Sequence, residues 1–245
     1  MIFQFLFLIF GIFSCAVAKN VSESVNQSFH LITSLYNEKN IERCKEYIIC
    51  LEKNLAHPLI ATIDVFYDTS NDDDTTILLQ YLKQQPITIH YVSDRPSYAD
   101  CFKLAAEHYF EKPIIIANAD IFFNTSLSAL QSFDLSNTFI ALTRWNVQPD
   151  KKTIKPHVKN GKIPITCSQD AWIFLSPCAI PAESIQIGRQ HCDGQIAYAA
   201  YHAGYKVINP CITVHACHLH LTDIRHWQLE GEWENARVVK WCSLP

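Results

Sequence analysis

Glycine is scarce in this sequence, and its scarcity excludes two common classes of phosphate-binding protein. The 245 residues include six glycines. Neither the G-x-G-x-x-G pattern of dinucleotide-binding folds nor the G-x-x-x-x-G-K-[S/T] pattern of P-loop proteins occurs among them. A Gly-rich loop of either type is therefore not the means by which this protein would bind a phosphate.

Clusters of basic residues and internal repeats are absent as well. The chain has 20 lysine and arginine residues against 24 acidic ones, a net charge of −4, so nucleic acid is not expected as the main partner. Hydrophobic residues make up 49% of the sequence. At this length that is enough for one sizeable core, and we expect a single domain over residues 19–245.

Long apolar runs are confined to the N-terminus. The first 18 residues end in the small-x-small pattern Ala16-Val17-Ala18, which is typical of a signal-peptide cleavage site, although the usual basic n-region is missing. We therefore expect residues 1–18 to be a signal sequence for the secretory pathway, leading to the ER or Golgi lumen or out of the cell. An uncleaved anchor is the alternative, and it would be the only contact with a membrane.

The sequence contains ten cysteines, of which Cys15 lies within the first 18 residues and nine follow. In an exported chain some of them should form disulfides, and an odd number leaves at least one thiol free. The alternative is a set of buried free thiols, which suits Cys44 and Cys101 on the apolar faces of predicted helices.

Strand and helix patterns alternate along the first half of the chain. The predicted strands cover residues 29–35, 59–66, 87–92, 114–120, 138–145, 171–176 and 205–210, and the predicted helices cover 40–55, 97–110, 193–204 and a segment ending near Lys83. Asn40 is expected as an N-cap, and Ser97 with Asp100 has the capping-box pattern. The alternation predicts an α/β fold with a largely parallel sheet, in which ligands bind beyond the carboxyl ends of the strands.

Asp120 in the stretch IIIANADIFFN is the residue most suggestive of chemistry. Apolar residues precede and follow it, and a carboxylate in such surroundings costs free energy unless it is paired, hydrogen-bonded or bound to a metal. It is either a structural acid in the turn before Asn124 or a ligand of a divalent ion such as Mn²⁺ or Mg²⁺. Such an ion would join Asp120 to a diphosphate and neutralise that leaving group.

The same stretch resembles the metal-binding strand of GT-A-fold glycosyltransferases, whose usual signature is Asp-x-Asp. Further blocks follow in an order that agrees with those enzymes: TRW, SQDAWIFLSP, CDGQIAYAAYHAGYKVINP and HLHLTDIR. The arrangement is similar to the exostosin-like glycosyltransferase domains, from Phe29 to Arg225. The resemblance implies a GT-A-like (Rossmann-like) three-layer α/β fold with a mostly parallel central sheet.

The resemblance also implies a metal site. Asp120 matches the last acid of the signature, the one that contacts the metal, and His218 or His220 would complete the site. Asn118 stands where the first acid usually is, and it would hold a ribose hydroxyl without adding negative charge. Each histidine has the alternative of an ordinary strand or surface residue.

Two further acids are implied to be catalytic. Asp193 matches the acid that faces the acceptor, which is the general base in inverting enzymes, and its alternative is an N-cap of the helix that follows. Asp170 is implied to contact hydroxyl groups of the donor sugar or the acceptor. Its alternative is a turn acid at the start of a strand.

Aromatic and cationic side chains are implied for nucleotide binding. The loop containing Arg95 and Tyr98 would lie near the base and ribose, and the alternative is a surface arginine beside an aromatic residue at a helix start. Arg43 and Arg225 are candidates for contact with the diphosphate. An ordinary exposed salt bridge is the alternative for both.

The residues and the resemblance together predict a hexosyl- or N-acetylhexosaminyl-transferase that depends on Mn²⁺ or Mg²⁺. It would move a sugar from a nucleoside diphosphate, with UDP favoured, to a hydroxyl of a glycan or another acceptor. One alternative is a secreted, catalytically inactive module of the same fold that binds sugars or nucleotides. Another is a zinc protein, although the spacing of its candidate ligands matches no common zinc site. Those candidates are Cys211, His215, Cys217, His218 and His220.

Overall fold

The computed structural model describes residues 27–70, 76–157 and 168–222, together with the single residues 224, 239, 242 and 244. The predicted signal sequence, the candidate residue Arg225 and the cysteines Cys15 and Cys167 lie outside the described residues. Within the described part of the chain, no helix is long and apolar enough to cross a membrane.

Strand and helix alternate up to the fourth strand, as the sequence predicts. The order is β1 Phe29–Tyr36, α1 Ile41–Leu55, β2 Ile60–Asp68, α2 Ile77–Lys83, β3 Thr88–Val92, α3 Tyr98–His108 and β4 Pro113–Ala117. The rest of the described chain contains β5 Ile121–Phe123, a 3-10 helix Thr125–Leu130, β6 Thr138–Val147, β7 Ile154–Pro156, β8 Gln169–Leu175, α4 Cys192–His202, β9 Lys206–Ile208 and β10 Ala216–His218. The short strands β5, β7 and β10 were not predicted, because three residues are too few to show a periodicity.

Side-chain hydrogen bonds fix where two of the helices begin. The side chain of Asn40 accepts the backbone N–H of Arg43 and caps α1. At α3 the side chains of Ser97 and Asp100 each accept the other's backbone N–H. Both predicted caps are therefore confirmed.

The central sheet is mixed, which corrects the expectation of a mostly parallel sheet. The strand order is β3-β2-β1-β4-β8-β6-β10-β5, and β7 and β9 also pair with β6. Strands β3, β2, β1 and β4 run parallel, but β8 is antiparallel to both β4 and β6, and β5 is antiparallel to β10. A parallel neighbour of β4 would need a crossover helix between the two strands. No such helix follows β4 in the described chain, so the alternation of strand and helix stops there.

The sheet separates two apolar cores. On one face, Leu31 and Leu35 of β1 pack with residues of α1 and α2. On the other face, Ile32 packs with residues of α3 and α4. Adjacent residues of a strand point to opposite faces of the sheet, so β1 contributes to both cores. The result is the predicted three-layer arrangement, with helices on both sides of the sheet.

The strand order reverses once within the parallel part of the sheet. From β1 the chain moves outward to β2 and β3, and α3 then leads back to β4 on the other side of β1. In open α/β sheets such a reversal leaves a crevice beyond the carboxyl ends of the two central strands. Here those ends are Tyr36 of β1 and Ala117 of β4.

All eight described cysteines have free thiols, so the predicted disulfides are not found in this part of the chain. Cys44 and Cys101 are 4% and 0% exposed, on the buried faces of α1 and α3. For these two, the structure agrees with the alternative of a small apolar side chain in the core.

Candidate active site

A cleft opens at the crevice between β1 and β4. It is lined by Ser34, Leu35 and Tyr36 at the end of β1, by Asp68 at the end of β2, and by the segment 118–120 after β4. The empty volume is about 1020 Å³, which includes the mouth that opens to solvent. A cleft at this position in an open α/β sheet is where a ligand is expected to bind.

Asp120 lies at the inner end of this cleft, in the turn between β4 and β5. The backbone N–H of Ile121 donates to the carbonyl of Asn118 over 3.0 Å and closes the turn. The carboxylate of Asp120 itself accepts from Nη2 of Arg43 and lies within hydrogen-bond distance of Nε2 of His218. Because its partners come from distant segments and not from the turn, the geometry does not support a purely structural turn acid.

The charge of Asp120 is stabilised by its neighbours. The residue is 8% exposed, and burial alone would raise the pKa of its carboxyl group. His218 and Arg43 outweigh that effect and hold the pKa well below its usual range. Asp120 is therefore an anion, as a metal ligand must be.

Two histidines face the same carboxylate. Nε2 of His218 lies 3.1 Å from Oδ2 of Asp120, and Nδ1 of His220 lies 4.0 Å from it. The outer ring nitrogens have other partners: Nδ1 of His218 lies 3.2 Å from Oδ1 of Asn146, and Nε2 of His220 lies 2.9 Å from the carbonyl of Ile224. When the outer nitrogen donates, the inner nitrogen presents its lone pair to Asp120, which is the usual orientation of a metal-binding imidazole.

The three groups fit a divalent ion. One ligand atom from each of Asp120, His218 and His220 lies within 4.8 Å of the others, and ligand atoms that bind one ion at about 2.1 Å are at most about 4.2 Å apart. The distances from Oδ2 of Asp120 to the two ring nitrogens, 3.1 and 4.0 Å, are within that limit. Burial, reinforced by the charge of Arg43, lowers the pKa of His220, so this ring is neutral and able to bind.

Arg43 donates through Nη2 to Oδ2 of Asp120, the same oxygen that the two histidines face. Its guanidinium donates to Oε2 of Glu46 over 2.7 Å and to the hydroxyl of Tyr47 over 3.2 Å, and it lies 4.6 Å from the centre of the Tyr47 ring. Arg43 pairs with both Asp120 and Glu46, and one guanidinium between two carboxylates leaves a net negative charge at the site for a cation. The prediction that Arg43 is an ordinary exposed residue is excluded, because it is 5% exposed.

A second polar group forms beside Asp120, between β4 and β8. Nδ2 of Asn118 donates to Oδ1 of Asp170 over 3.0 Å, and Nη1 of Arg144 lies 3.3 Å from the same oxygen. All three residues line the cleft. Burial raises the pKa of Asp170, although Arg144 partly offsets the effect. One N–H of the Asn118 amide is thus engaged by an acid, and the contact of Asn118 with a ribose hydroxyl stays a prediction.

The structure separates Arg95 from Tyr98. Arg95 lines the cleft, where its Nη1 donates to the carbonyl of Ile187 over 3.3 Å. Tyr98 is 0% exposed, and its ring packs edge-on against Trp172. The predicted nucleotide contact by Tyr98 is therefore wrong, since its position at the start of α3 directs the ring into the core.

Asp193 does not cap α4, which corrects the N-cap alternative. The N-cap residue is His191, in the left-handed region with φ of 67°. The carboxylate of Asp193 instead accepts the backbone N–H groups of Ser168 and Gln169, over 3.1 and 3.3 Å. It therefore holds the start of β8, next to Asp170, and is not among the described residues that line the cleft.

The cysteines of the predicted zinc site do not join the histidines. Within the described residues, the metal-binding group contains Asp120 with His218 and His220, and neither Cys211 nor Cys217. Cys217 is 0% exposed and packs in an apolar cluster. The alternating directions of side chains along β10 explain this, because neighbours in the sequence point to opposite faces.

Several residues of the cleft were missed by the sequence analysis. Ser34, Tyr36 and Asp68 end β1 and β2, so the rule that ligands bind beyond strand ends would have found them. Arg144 lines the cleft as well, and Glu46 and Asn146 bond to residues of the site from outside it. These three have no comparable signal, because only their tertiary contacts bring them there.

Comparisons with known proteins agree with this architecture. No family model matches the sequence, and no curated protein matches it. The similar solved structures include two glycosyltransferases. The first is GalNAc-T7 with UDP, GalNAc and Mn²⁺, with a TM-score of 0.54 and 13% identity over 80% of this chain and 44% of that one. The second is the mannosyltransferase PcManGT from Pyrobaculum calidifontis in complex with GDP-Man and Mn²⁺, with a TM-score of 0.51 and 12% identity over 83% of this chain and 59% of that one.

The chain has a GT-A fold. The likeness is one of fold, because the identities are far too low to transfer an activity. The chain spans about half the length of these two proteins. The predicted fold is confirmed, whereas the exostosin-like subdivision is not supported by these similarities.

Proposed function

We propose that this protein is a metal-dependent glycosyltransferase that moves a sugar from a nucleoside diphosphate, with UDP favoured, to a hydroxyl group of a glycan or another acceptor. The main support is the group formed by Asp120, His218 and His220 at the inner end of the cleft of a GT-A fold. GalNAc-T7 and PcManGT, which share the fold, were solved with Mn²⁺ and a nucleotide or nucleotide sugar.

Asp120, His218 and His220 would hold the metal. Two imidazoles and one carboxylate favour a transition metal over Mg²⁺, which prefers oxygen ligands only, so Mn²⁺ is the better of the two predicted ions. When bound, the ion supplies the positive charge that stabilises a leaving diphosphate. The protein contributes by placing these ligands in advance, since their outer hydrogen bonds fix both rings.

Arg95 is the cation of the cleft best able to contact a phosphate. Arg43 and Arg144 are already paired with carboxylates, Asp120 and Asp170. The guanidinium of Arg95 donates to a backbone carbonyl, and no acidic side chain of the described residues pairs with it. A charged group without a counter-ion beside a cleft attracts an anion. Arg225 stays a prediction for the same role.

The ends of β1 and β2 would receive the nucleoside. Ser34, Tyr36 and Asp68 provide hydroxyl, aromatic and carboxylate groups along that side of the cleft. Such groups suit the base and the ribose, because a base stacks on aromatic rings and ribose hydroxyls donate to carboxylates.

Asp170 would contact the transferred sugar or its acceptor. It lies in the cleft beside Asn118, close to the metal ligands. In a donor whose diphosphate is bound to the metal, the sugar attached to that diphosphate would lie near this carboxylate. Asp193 would act on the same step through its hold on the start of β8. Catalysis would then depend on position and charge at the leaving group, with a hexosyl or N-acetylhexosaminyl group transferred in the lumen of the secretory pathway.

The decisive experiment measures nucleotide release. The full chain would be incubated with UDP-, GDP- and CMP-sugars in the presence of Mn²⁺ or of a chelator, beside Asp120→Asn and the control Asp134→Asn, whose carboxylate is exposed and bonds to Ser136. The proposal expects release of one nucleotide that needs Mn²⁺ and disappears in Asp120→Asn alone. If the folded protein binds UDP and Mn²⁺ in calorimetry but releases nothing with any acceptor, it is the inactive binding module instead.

A further inference from the structure

Glu46 is a buried acid in the middle of α1 that does not line the cleft. It is 6% exposed. Its Oε2 accepts from Nη1 of Arg43 over 2.7 Å and from the hydroxyl of Thr222 over 3.1 Å. Its Oε1 accepts the backbone N–H groups of Leu221 and Thr222 over 2.7 and 2.9 Å. Both carboxylate oxygens are therefore saturated with donors, which is how a buried charge is retained.

These bonds join the two sides of the candidate metal site. Arg43, on one side of Glu46, donates to Asp120. Leu221, on the other side, directly follows His220 in the chain. Among the described residues, Glu46 is the side chain that contacts both the partner of Asp120 and the backbone beside His220.

The backbone beside His220 needs such support. Strand β10 ends at His218, and residues 219–222 belong to no helix or strand. A segment without regular structure is ordered only by the bonds that it makes to its surroundings. Here the backbone N–H of Leu219 donates to the carbonyl of Asp120 over 2.8 Å, and the carbonyl of Leu219 accepts from Nη1 of Arg43 over 3.2 Å. The backbone N–H groups after His220 are held by Glu46, which also holds Arg43 in place.

We propose that Glu46 is a positioning residue that assembles the metal site from its two halves. It holds Arg43 against Asp120, and it holds the chain after His220 so that the imidazole faces the same carboxylate. This inference rests on the proposed function, because it requires Asp120, His218 and His220 to bind an ion.

The test measures the affinity for Mn²⁺ by calorimetry on the full chain. Glu46→Gln keeps the size of the side chain but replaces one accepting oxygen with an NH₂ group, so it loses either the bond from Arg43 or the bonds from the backbone N–H groups of Leu221 and Thr222. Thr222→Val removes one bond and leaves every charge in place. Glu42→Gln is the matched control, since Glu42 lies on the same helix, is exposed and pairs with Lys45.

The proposal expects Glu46→Gln to bind Mn²⁺ about 10- to 100-fold more weakly and Thr222→Val about fivefold more weakly. Glu42→Gln should bind as the unchanged protein does. Circular dichroism and melting without metal would report on folding, and if Glu46→Gln does not fold, the affinity of Thr222→Val decides. A purely structural role predicts a lower melting temperature with unchanged Mn²⁺ affinity, and that result would overturn the inference.

The same data separate this inference from the proposed function. Normal Mn²⁺ binding by folded Glu46→Gln and Thr222→Val, with Mn²⁺-dependent nucleotide release by the unchanged protein, would remove the role of Glu46 and leave the transferase intact. An unchanged protein that binds no Mn²⁺ would remove the metal site, and the positioning role with it.

Discussion

Asn118 is hydrogen-bonded twice to Asp170. Its side-chain Nδ2 donates to Oδ1 of Asp170 over 3.0 Å, and its backbone N–H donates to the carbonyl oxygen of the same residue, also over 3.0 Å. The pair extends the ladder between β4 and β8 by one step into the cleft. This explains why an amide stands where GT-A enzymes usually have a first acid: an aspartate there would place two carboxylates against each other.

Asn118→Asp should therefore destabilise the protein. Two buried carboxylates at hydrogen-bond distance repel each other and are costly to keep ionised. We expect the free energy of unfolding to fall by about 1–3 kcal/mol at neutral pH, measured by urea unfolding without metal. Asn118→Ala is the control, because it removes the hydrogen bond without adding charge and should cost less. Equal stability of Asn118→Asp and the unchanged protein would contradict this account of the pair.

Asp120→Asn should abolish nucleotide release while the protein stays folded. The amide removes the negative charge that would hold the metal, and loss of one electrostatic group at a reaction centre typically slows a reaction by about 10²–10³-fold. Arg43 keeps its partner Glu46, so the far-UV circular dichroism spectrum should not change. Unfolding of this variant would instead favour a structural role for Asp120.

His220→Ala should weaken Mn²⁺ binding by at least tenfold, because it removes one of three ligands. His202→Ala is a suitable control, since His202 is exposed at the end of α4 and is not among the described residues that line the cleft. Calorimetry with Mn²⁺ measures both. If His220→Ala binds as tightly as the unchanged protein, Asp120 and His218 would hold the ion without it.

Arg95→Ala should weaken the affinity for the donor by about tenfold, the value of one charge-assisted hydrogen bond to a phosphate. Its effect on folding should be small, because the guanidinium makes one hydrogen bond to the described part of the chain, to the carbonyl of Ile187. Tyr98→Phe is the comparison variant, three residues further along the chain at the start of α3. That ring lies in the core, so donor affinity should be unchanged, and a loss of affinity in Tyr98→Phe with none in Arg95→Ala would reverse our assignment.

Much of the fold follows from local patterns in the sequence. Apolar periodicity predicts β1, α1 and β2, and the capping side chains of Asn40 and Ser97 predict two helix starts. These signals are visible in the sequence because each of them acts within a few residues. The pairing of β8 between β4 and β6 depends on segments far apart in the chain, and no local pattern encodes its antiparallel direction. This is why the parallel half of the sheet was predicted and the mixed half was not.

The candidate site divides in the same way. By itself, the sequence determined that Asp120 would stand at the end of a buried strand, and that His218 and His220 offered ligand atoms of the right kind. Only the tertiary structure decided that these three meet, that Tyr98 is in the core, and that Asp193 braces β8 instead of capping α4. The physical reason is that side-chain chemistry is a local property, whereas distance, burial and charge balance at a site are set by chain segments more than 100 residues apart, as Glu46 and Leu221 show.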